Sequence, residues 1–391
     1  MGKRVGIEVS LAIAEAAKMA DVDVVAAYPI TPQTHIVERL AELVANGDLD
    51  AEYIPVESEH SAMSACLGSS ATGARTFTAT AGQGLELMHE VLYVASAMRL
   101  PIIMAVANRA LSSPLNVWGD QSDLMAVRDT GWIQIICENG QEAFDHTLCA
   151  FRIGEDQRVL LPVMIHVDGF YLTHVVEPIE FPTQDEVNRF LPPIKYPLPL
   201  NPDRPETMGG FTPPILYTEA KKAQEVNIRA SKKIILEHWD EFGKAFGRYY
   251  HPVEKYRTEG AKTLLLTLGS FGETAMTAVD KMRNEGKEVG LLKLRLWRPF
   301  PFEELTEAVG NAQTLIVVDR ALSFGGPGGP AYSEIRSALY SNKIRPNIVG
   351  FVGGLGGRDL TVTEFEGMVK RGLEITNTGA EKEYEMFGVK E

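Results

Sequence analysis

The chain has 391 residues, 45% of them hydrophobic, which is enough to bury a large core and too long for one ordinary domain. Its 52 acidic residues against 38 basic ones give a net charge of −14, spread along the chain, which argues against nucleic acid or an anionic membrane surface as a partner. Apolar runs such as residues 100–107 are too short to span a bilayer, and residues 1–20 contain no apolar signal core, so the chain is expected in the cytoplasm. Cys66, Cys137 and Cys149 are scattered through apolar surroundings without metal-ligand spacing, so neither a zinc site nor an iron–sulfur cluster is expected on this chain.

Taken in order, residues 5–20 read as an Ala-rich helix and 22–27 as a strand ending in Tyr28-Pro29-Ile30-Thr31-Pro32, where two prolines force an extended turn. Ile36, Leu40, Leu43 and Val44 give helical spacing over 33–46. Strand 51–56 leads into Glu57-Ser58-Glu59-His60-Ser61-Ala62 and then into a run of small residues. Strand 75–80 ends in Ala81-Gly82-Gln83-Gly84, followed by a helix over 85–98. Residues 100–107 form a fully apolar strand, as in a parallel sheet covered on both faces, and end in Asn108-Arg109-Ala110. A loop over 111–123 precedes strand 132–137, a helix over 141–155 and strand 159–166, which runs into Val167-Asp168-Gly169-Phe170.

The composition then changes. Ten of the 22 prolines fall in 178–214, which reads as a semi-rigid excursion rather than a folded unit, and a long charged helix follows over 217–246. A second α/β series starts near residue 261, with strands at 263–268, 289–294, 314–318 and 347–352 and helices between them. The expected class is α/β, with two doubly wound parallel-sheet domains: residues 1–177, a proline-rich arm and connecting helix over 178–258, and residues 259–391.

Strand–helix alternation puts Thr31, Glu59, Gln83, Arg109 and Asp168 after the carboxyl ends of predicted strands, along the edge where open α/β sheets bind ligands. Each also has a plain structural reading. Ser58 suits an N-cap, and Glu59 in the first helical turn complements the helix dipole. Gly82-Gln83-Gly84 permits close approach of an anion or a flat ring, or is a tight turn; it lacks the remaining glycine, Lys and Ser/Thr of the phosphate-binding fingerprints. Arg109 could grip a carboxylate through two parallel hydrogen bonds, or pair with Asp120 or Asp123. The Thr31 hydroxyl could donate to a bound carboxylate or bond its own turn. His60, His89 and His166 lack metal spacing, and residues 325–329 suit either a phosphate or a shaped loop.

Together the stretches Tyr28-Pro29-Ile30-Thr31-Pro32, Glu57-Ser58-Glu59-His60-Ser61-Ala62, Gly82-Gln83-Gly84-Leu85, Ala107-Asn108-Arg109-Ala110, Trp118-Gly119-Asp120-Gln121-Ser122-Asp123 and Arg128-Asp129-Thr130-Gly131 resemble, in order and spacing, the α subunit of the 2-oxoacid:ferredoxin oxidoreductases, pyruvate synthases in particular. The resemblance implies a pyrimidine-binding domain for thiamine diphosphate followed by a transketolase C-terminal-like domain. It also implies oxidative decarboxylation of a 2-oxoacid, with coenzyme A as acyl acceptor and ferredoxin as electron acceptor. Partner β, γ and δ subunits would complete the complex, with the diphosphate and Mg²⁺ held by β and the 4Fe-4S clusters carried on partner subunits. The proline-rich arm would wrap a neighbouring subunit.

By position, the resemblance assigns Glu59, rather than Glu57, to N1′ of the aminopyrimidine, where it lets the ring's own amino group act as base. Thr31 and Arg109 match the residues that hold the 2-oxoacid. Pro29, Gly82 and Gln83 pass along the cofactor, and Asp120 and Asp123 lie in the loop beside the substrate with no chemistry assigned. Gly82 before the glutamine, His166 ahead of the Asp-Gly-Phe run, and Ser113 and Val117 in the loop depart from the family pattern. Branched, aromatic or other 2-oxoacids therefore stay open beside pyruvate, as does another acceptor such as NAD. A non-catalytic scaffold subunit and a decarboxylase that passes no electrons onward are the other classes to be separated.

Overall fold

Alternate residues of the buried strands face opposite ways, and each set meets its own layer of helices. In the computed structural model, which describes residues 2–343, 345–379 and 382–390, the chain begins with β1 (Lys3–Glu8), α1 (Val9–Met19), β2 (Val24–Ala27), α2 (Thr34–Ala45), β3 (Glu52–Pro55), α3 (Glu59–Ala71) and β4 (Thr76–Thr80). It continues through α4 (Gly82–Leu87), α5 (His89–Ala97), β5 (Ile102–Asn108), α6 (Ser122–Ala126), β6 (Ile133–Ile136), α7 (Gly140–Gly154), β7 (Val163–Asp168), β8 (Val176–Phe181), α8 (Gln184–Phe190) and α9 (Pro214–Phe246). The remainder is β9 (Val253–Tyr256), β10 (Thr263–Thr267), α10 (Phe271–Asn284), β11 (Val289–Leu294), β12 (Leu296–Arg298), α11 (Phe302–Val309), β13 (Thr314–Asp319), α12 (Pro330–Tyr340), β14 (Asn347–Val352), α13 (Val362–Thr378) and β15 (Glu385–Met386).

The first large sheet has the order β12-β6-β7-β5-β4-β2-β3, parallel except for β12 at its edge. Ile103, Ala105 and Ala107 of β5 pack with α1, α2 and α7, while Ile102, Met104 and Val106 pack with α3 and α5, so β5 is buried on both faces. The second sheet, β15-β14-β13-β10-β11-β9, repeats the arrangement. Leu264 and Leu266 face α11 and α12, and Leu265 faces α10 and α13. Both sheets are doubly wound, as the alternation of elements predicts.

Several local expectations are corrected. Residues 5–20 are not one helix: Lys3–Glu8 pairs antiparallel with Val176–Phe181, so long-range pairing overrides local helix preference. The proline-rich segment is partly folded, since it holds most of β8 and the helix α8, whose Thr183–Glu186 capping box starts it. The helix expected over 85–98 divides at Met88 into α4 and α5. The strand expected from 159 begins at Val163. The loop expected over 111–123 passes into α6 at Ser122. Elements β9, β12, α13 and β15 were not anticipated. Of these, β12 matters most. It follows a strand of the second sheet by one residue, yet pairs with β6 and buries Leu296 in the core of the first.

The chain steps from β2 outward to β3, then crosses back over β2 to add β4. The strand order therefore reverses between β2 and β4, and the crevice at their carboxyl ends is the position where an open α/β sheet binds a ligand.

Candidate active site

Four strand-end segments meet at that crevice. The turn after β2 carries Pro29 and Thr31, both exposed. It is pinned by Gln33, fully buried, whose Nε2 donates to Ala79 O at 2.6 Å and Tyr28 O at 3.3 Å and whose Oε1 accepts from Ile30 N–H at 3.3 Å. The Thr31 hydroxyl has no hydrogen bond among the described residues, so it is not held by its own turn.

After β3, Ser58 is the N-cap of α3 and its side chain accepts the Ser61 N–H at 3.2 Å. The capping expectation for Ser58 holds, and it leaves Glu59 free of that task. Glu59 is 6% exposed at the first position of the helix. Glu57 turns away to solvent, where a 2.6 Å hydrogen bond from the Ser61 hydroxyl holds its carboxyl below the usual range.

After β4, the first turn of α4 lies against Glu59. A Cβ at Gly84 would stand 2.6 Å from Glu59 Oε1 and from Thr80 Oγ1, so only glycine lets the carboxylate sit there. Thr80 Oγ1 and both side-chain polar atoms of Gln83 are buried without a hydrogen-bond partner among the described residues. Buried polar atoms of this kind cost free energy unless something pairs with them. Gly82 has φ +48°, and the Arg109 stem packs where its Cβ would be, 3.1–3.2 Å away.

Arg109, 7% exposed, follows β5. Its Nη1 donates to Thr31 O at 3.0 Å and its Nε to Asn116 O at 3.1 Å, leaving Nη2 without a protein partner among the described residues. Burial draws the guanidinium below its ordinary range, and Asp123 opposes the shift. The expected alternative, a side-chain ion pair with Asp120 or Asp123, is absent among the described residues. Asp123 instead accepts the backbone N–H groups of Gly82 and Arg109, each at 2.9 Å, and the Asn108 amide at 2.8 Å. Burial pushes its carboxyl up to about 7 against these hydrogen bonds. Asp120 accepts from Ser122 N and Oγ at 3.0 and 2.6 Å and from Gly356 N at 3.1 Å, which ties the loop to the second sheet's edge.

Geometry thus joins Glu59 with Gly84 and Thr80, and Arg109 with Thr31, Gly82 and Asp123. Asp168 sits apart as a bridge: it accepts from Ser270 N and Oγ at 2.7 and 2.6 Å and pairs with Arg320 at 2.6 Å. At the end of the loop over 325–329, Gly329 packs on Asp319, which accepts the Ala331 and Tyr332 N–H groups at the start of α12. Gln33, Thr80 and Asn108 escaped sequence reasoning because nothing local marks a buried amide or hydroxyl. Glu8, His35 and His174 also escaped it, since the three meet from distant segments. There His35 Nδ1 bonds Glu8 Oε1 at 2.6 Å and His174 Nδ1 bonds Thr173 Oγ1 at 2.7 Å.

Residues 15–238 match the family described as pyruvate flavodoxin/ferredoxin oxidoreductase, thiamine diphosphate-binding, and residues 261–365 match pyruvate:ferredoxin oxidoreductase core domain II. The chain is 50% identical to pyruvate synthase subunit PorA of Methanothermobacter thermautotrophicus over 93% of its own length and 94% of that protein's. It is 48% identical to the PorA of Thermotoga maritima, covering 92% and 91%. It is also 44% identical to ketoisovalerate oxidoreductase subunit VorA of Pyrococcus horikoshii, covering 97% and 96%. In fold it is similar to the 2-oxoglutarate:ferredoxin oxidoreductase of Magnetococcus marinus, with a TM-score of 0.73 at 20% identity, covering 96% of this chain and 66% of that one. A split-gene transketolase shares the fold more distantly, with a TM-score of 0.54 at 14% identity, covering 95% of this chain and 100% of that one. Half-identity to PorA proteins along nearly the whole chain and the two family matches together place it: the chain belongs to the α subunits of the 2-oxoacid:ferredoxin oxidoreductases, among the pyruvate synthase PorA proteins.

Proposed function

We propose that this chain supplies the pyrimidine-binding half of a thiamine diphosphate site in a multisubunit pyruvate synthase. The complex would oxidise pyruvate to acetyl-CoA and CO₂ and pass the electrons to ferredoxin. The observation that carries the reading is the Glu59 carboxylate, buried against Gly84 beside the unpaired polar atoms of Thr80 and Gln83. An aminopyrimidine fits that surface, since its ring nitrogens and exocyclic amine supply the missing donors and acceptors. When bound, the cofactor supplies the nucleophilic carbon and the electron sink for decarboxylation.

The residues of this chain then have separable tasks. Glu59 holds a proton at the pyrimidine N1′ position, a general acid–base role aided by partial exclusion of water. Gly82, Gln83 and Pro29 line the cofactor. Arg109, already oriented by Thr31 O and Asn116 O, turns Nη2 and its charge to the 2-oxoacid carboxylate, and the free Thr31 hydroxyl donates to the same substrate. Asp120 and Asp123 shape the substrate loop. The diphosphate and Mg²⁺ fall to a β subunit, and 4Fe-4S clusters to partner β and δ subunits, with γ completing the assembly. No helix among the described residues is long and apolar enough to cross a membrane.

The test is Glu59→Ala in the complex assembled with its partner subunits. Loss of general acid–base assistance predicts a fall in 2-oxoacid-dependent ferredoxin reduction of roughly 10²- to 10⁴-fold. Full activity with normal assembly would remove Glu59 from catalysis and favour a scaffold subunit. Copurification without cluster-bearing partners would favour a simple decarboxylase. The ketoisovalerate-named relative supports a second substrate reading, a branched 2-oxoacid. Comparing kcat/KM for pyruvate and 2-oxoisovalerate decides between them.

A further inference from the structure

The Asp123 carboxylate is fully buried and touches no surface, yet it joins two loops with different tasks. Its Oδ2 accepts the N–H of Gly82 at the start of α4 and the N–H of Arg109 just after β5, both at 2.9 Å. Its Oδ1 accepts the Asn108 amide at 2.8 Å and the Leu124 N–H at 2.7 Å. The second Asn108 amide hydrogen points to His166 Nδ1 at 3.2 Å. In that contact Nδ1 is the acceptor, which requires a ring nitrogen without a proton. Burial, which pushes His166 down to about 3, keeps it so.

Two consequences follow from where these hydrogen bonds lead. Gly82 is followed by Gln83 and Gly84, the turn that abuts Glu59. Arg109 N–H sets the residue whose guanidinium reaches Thr31 O. We propose that Asp123 is a positioning residue that fixes the cofactor-lining turn and the substrate arginine relative to each other, with Asn108 and His166 anchoring it from below. The proposal rests on the functional reading above for what the two loops bind. All four contacts to Asp123 are N–H donors, so only a group that accepts on both oxygens satisfies them. Asparagine offers one oxygen, and its amide hydrogens would face either the two loop N–H groups or the Asn108 amide.

The experiment is Asp123→Asn in the complex with its partner subunits, with three readouts. The dissociation constant for thiamine diphosphate and the KM for pyruvate should each rise about tenfold or more, together. Before cofactor is added, amide hydrogen exchange should accelerate at Gly82 and Arg109 while β10 and β11 of the second sheet keep their protection. A variant that assembles and leaves both constants and both amides within twofold of wild type overturns the proposal. Should Asp123→Asn fail to assemble, Asn108→Ala keeps the carboxylate and loosens one anchor. It should shift both constants in the same direction by a smaller factor, and unchanged constants overturn the proposal equally. If the wild-type complex binds no thiamine diphosphate, the functional reading fails, while dependence of the Gly82 and Arg109 amides on Asp123 still reports on the positioning itself.

Discussion

At position 84 one methyl group decides whether the Glu59 carboxylate keeps its place beside α4. Glu59 and Thr80 occupy the space that any side chain at Gly84 would need, with both oxygens 2.6 Å from the position of a Cβ. Thr80 Oγ1 is held close to the backbone at the end of β4, whereas the Glu59 carboxylate ends a flexible side chain and is the part that gives way. Gly84→Ala is therefore expected to push the Glu59 carboxylate aside and weaken thiamine diphosphate binding about tenfold, equivalent to roughly 1.4 kcal/mol. The helix itself should tolerate alanine, which favours helix over glycine. Titration calorimetry of the complex checks this, and unchanged affinity would show that Glu59 does not face the cofactor. The distinction between Glu57 and Glu59 belongs to the same scale. Two residues apart in sequence, one is exposed on the surface and the other buried at a helix start.

Among the elements, α7 carries a local polarity conflict. His146 lies in its middle, fully buried between Trp239 of α9 and Tyr250, and neither ring nitrogen has a partner among the described residues. Burial, reinforced by Arg295, pushes its pKa down to about 3 from an ordinary 6.5. The folded state thus refuses a proton that the unfolded chain accepts. This histidine's contribution to stability is present above pH 6.5 and is lost as pH falls toward 3. His146→Leu should flatten the pH dependence of the unfolding midpoint between pH 6.5 and 4, and an unaltered slope would mean that His146 is charged or solvated in the fold. The packing of α9 over α7 is what imposes this, so hydrophobic periodicity alone could not reveal it. Pairing of β1 with β8, and of β12 with β6, are likewise element-scale facts without a local signal.

The two sheets are joined by buried charge. Arg320, 1% exposed in its side chain, pairs with Asp168 at 2.6 Å, lies 3.8 Å over the Phe271 ring and donates to Gly119 O at 3.2 Å. Its own carbonyl accepts Gln121 N–H at 2.9 Å, so the loop before α6 is fastened to the second sheet. Lys293 with Glu138 and Arg295 with Glu142 extend the contact, at 2.7 and 2.6 Å. Removing one member of a buried pair leaves the other desolvated. Arg320→Met should cost roughly 3 kcal/mol of stability, read as a lower denaturation midpoint of the full chain. A loss below about 1 kcal/mol, the range of exposed pairs, would mean that the pair is open to water.

The amino-acid sequence by itself determined the α/β class, most strand positions, and the set of strand ends that would share one edge. Apolar runs such as 100–107 and turns such as Pro29-Ile30-Thr31-Pro32 carry that information locally. The positions of Glu59 and Arg109 at strand ends were legible for the same reason, and the motif order pointed to the family. Only the tertiary structure decided the strand order, the edge strand β12 and the partners of Asp123, Asp168 and Gln33. Those depend on which distant backbone groups and side chains come within hydrogen-bonding distance, and periodicity of 2 or 3.6 residues along one chain segment holds no record of that distance.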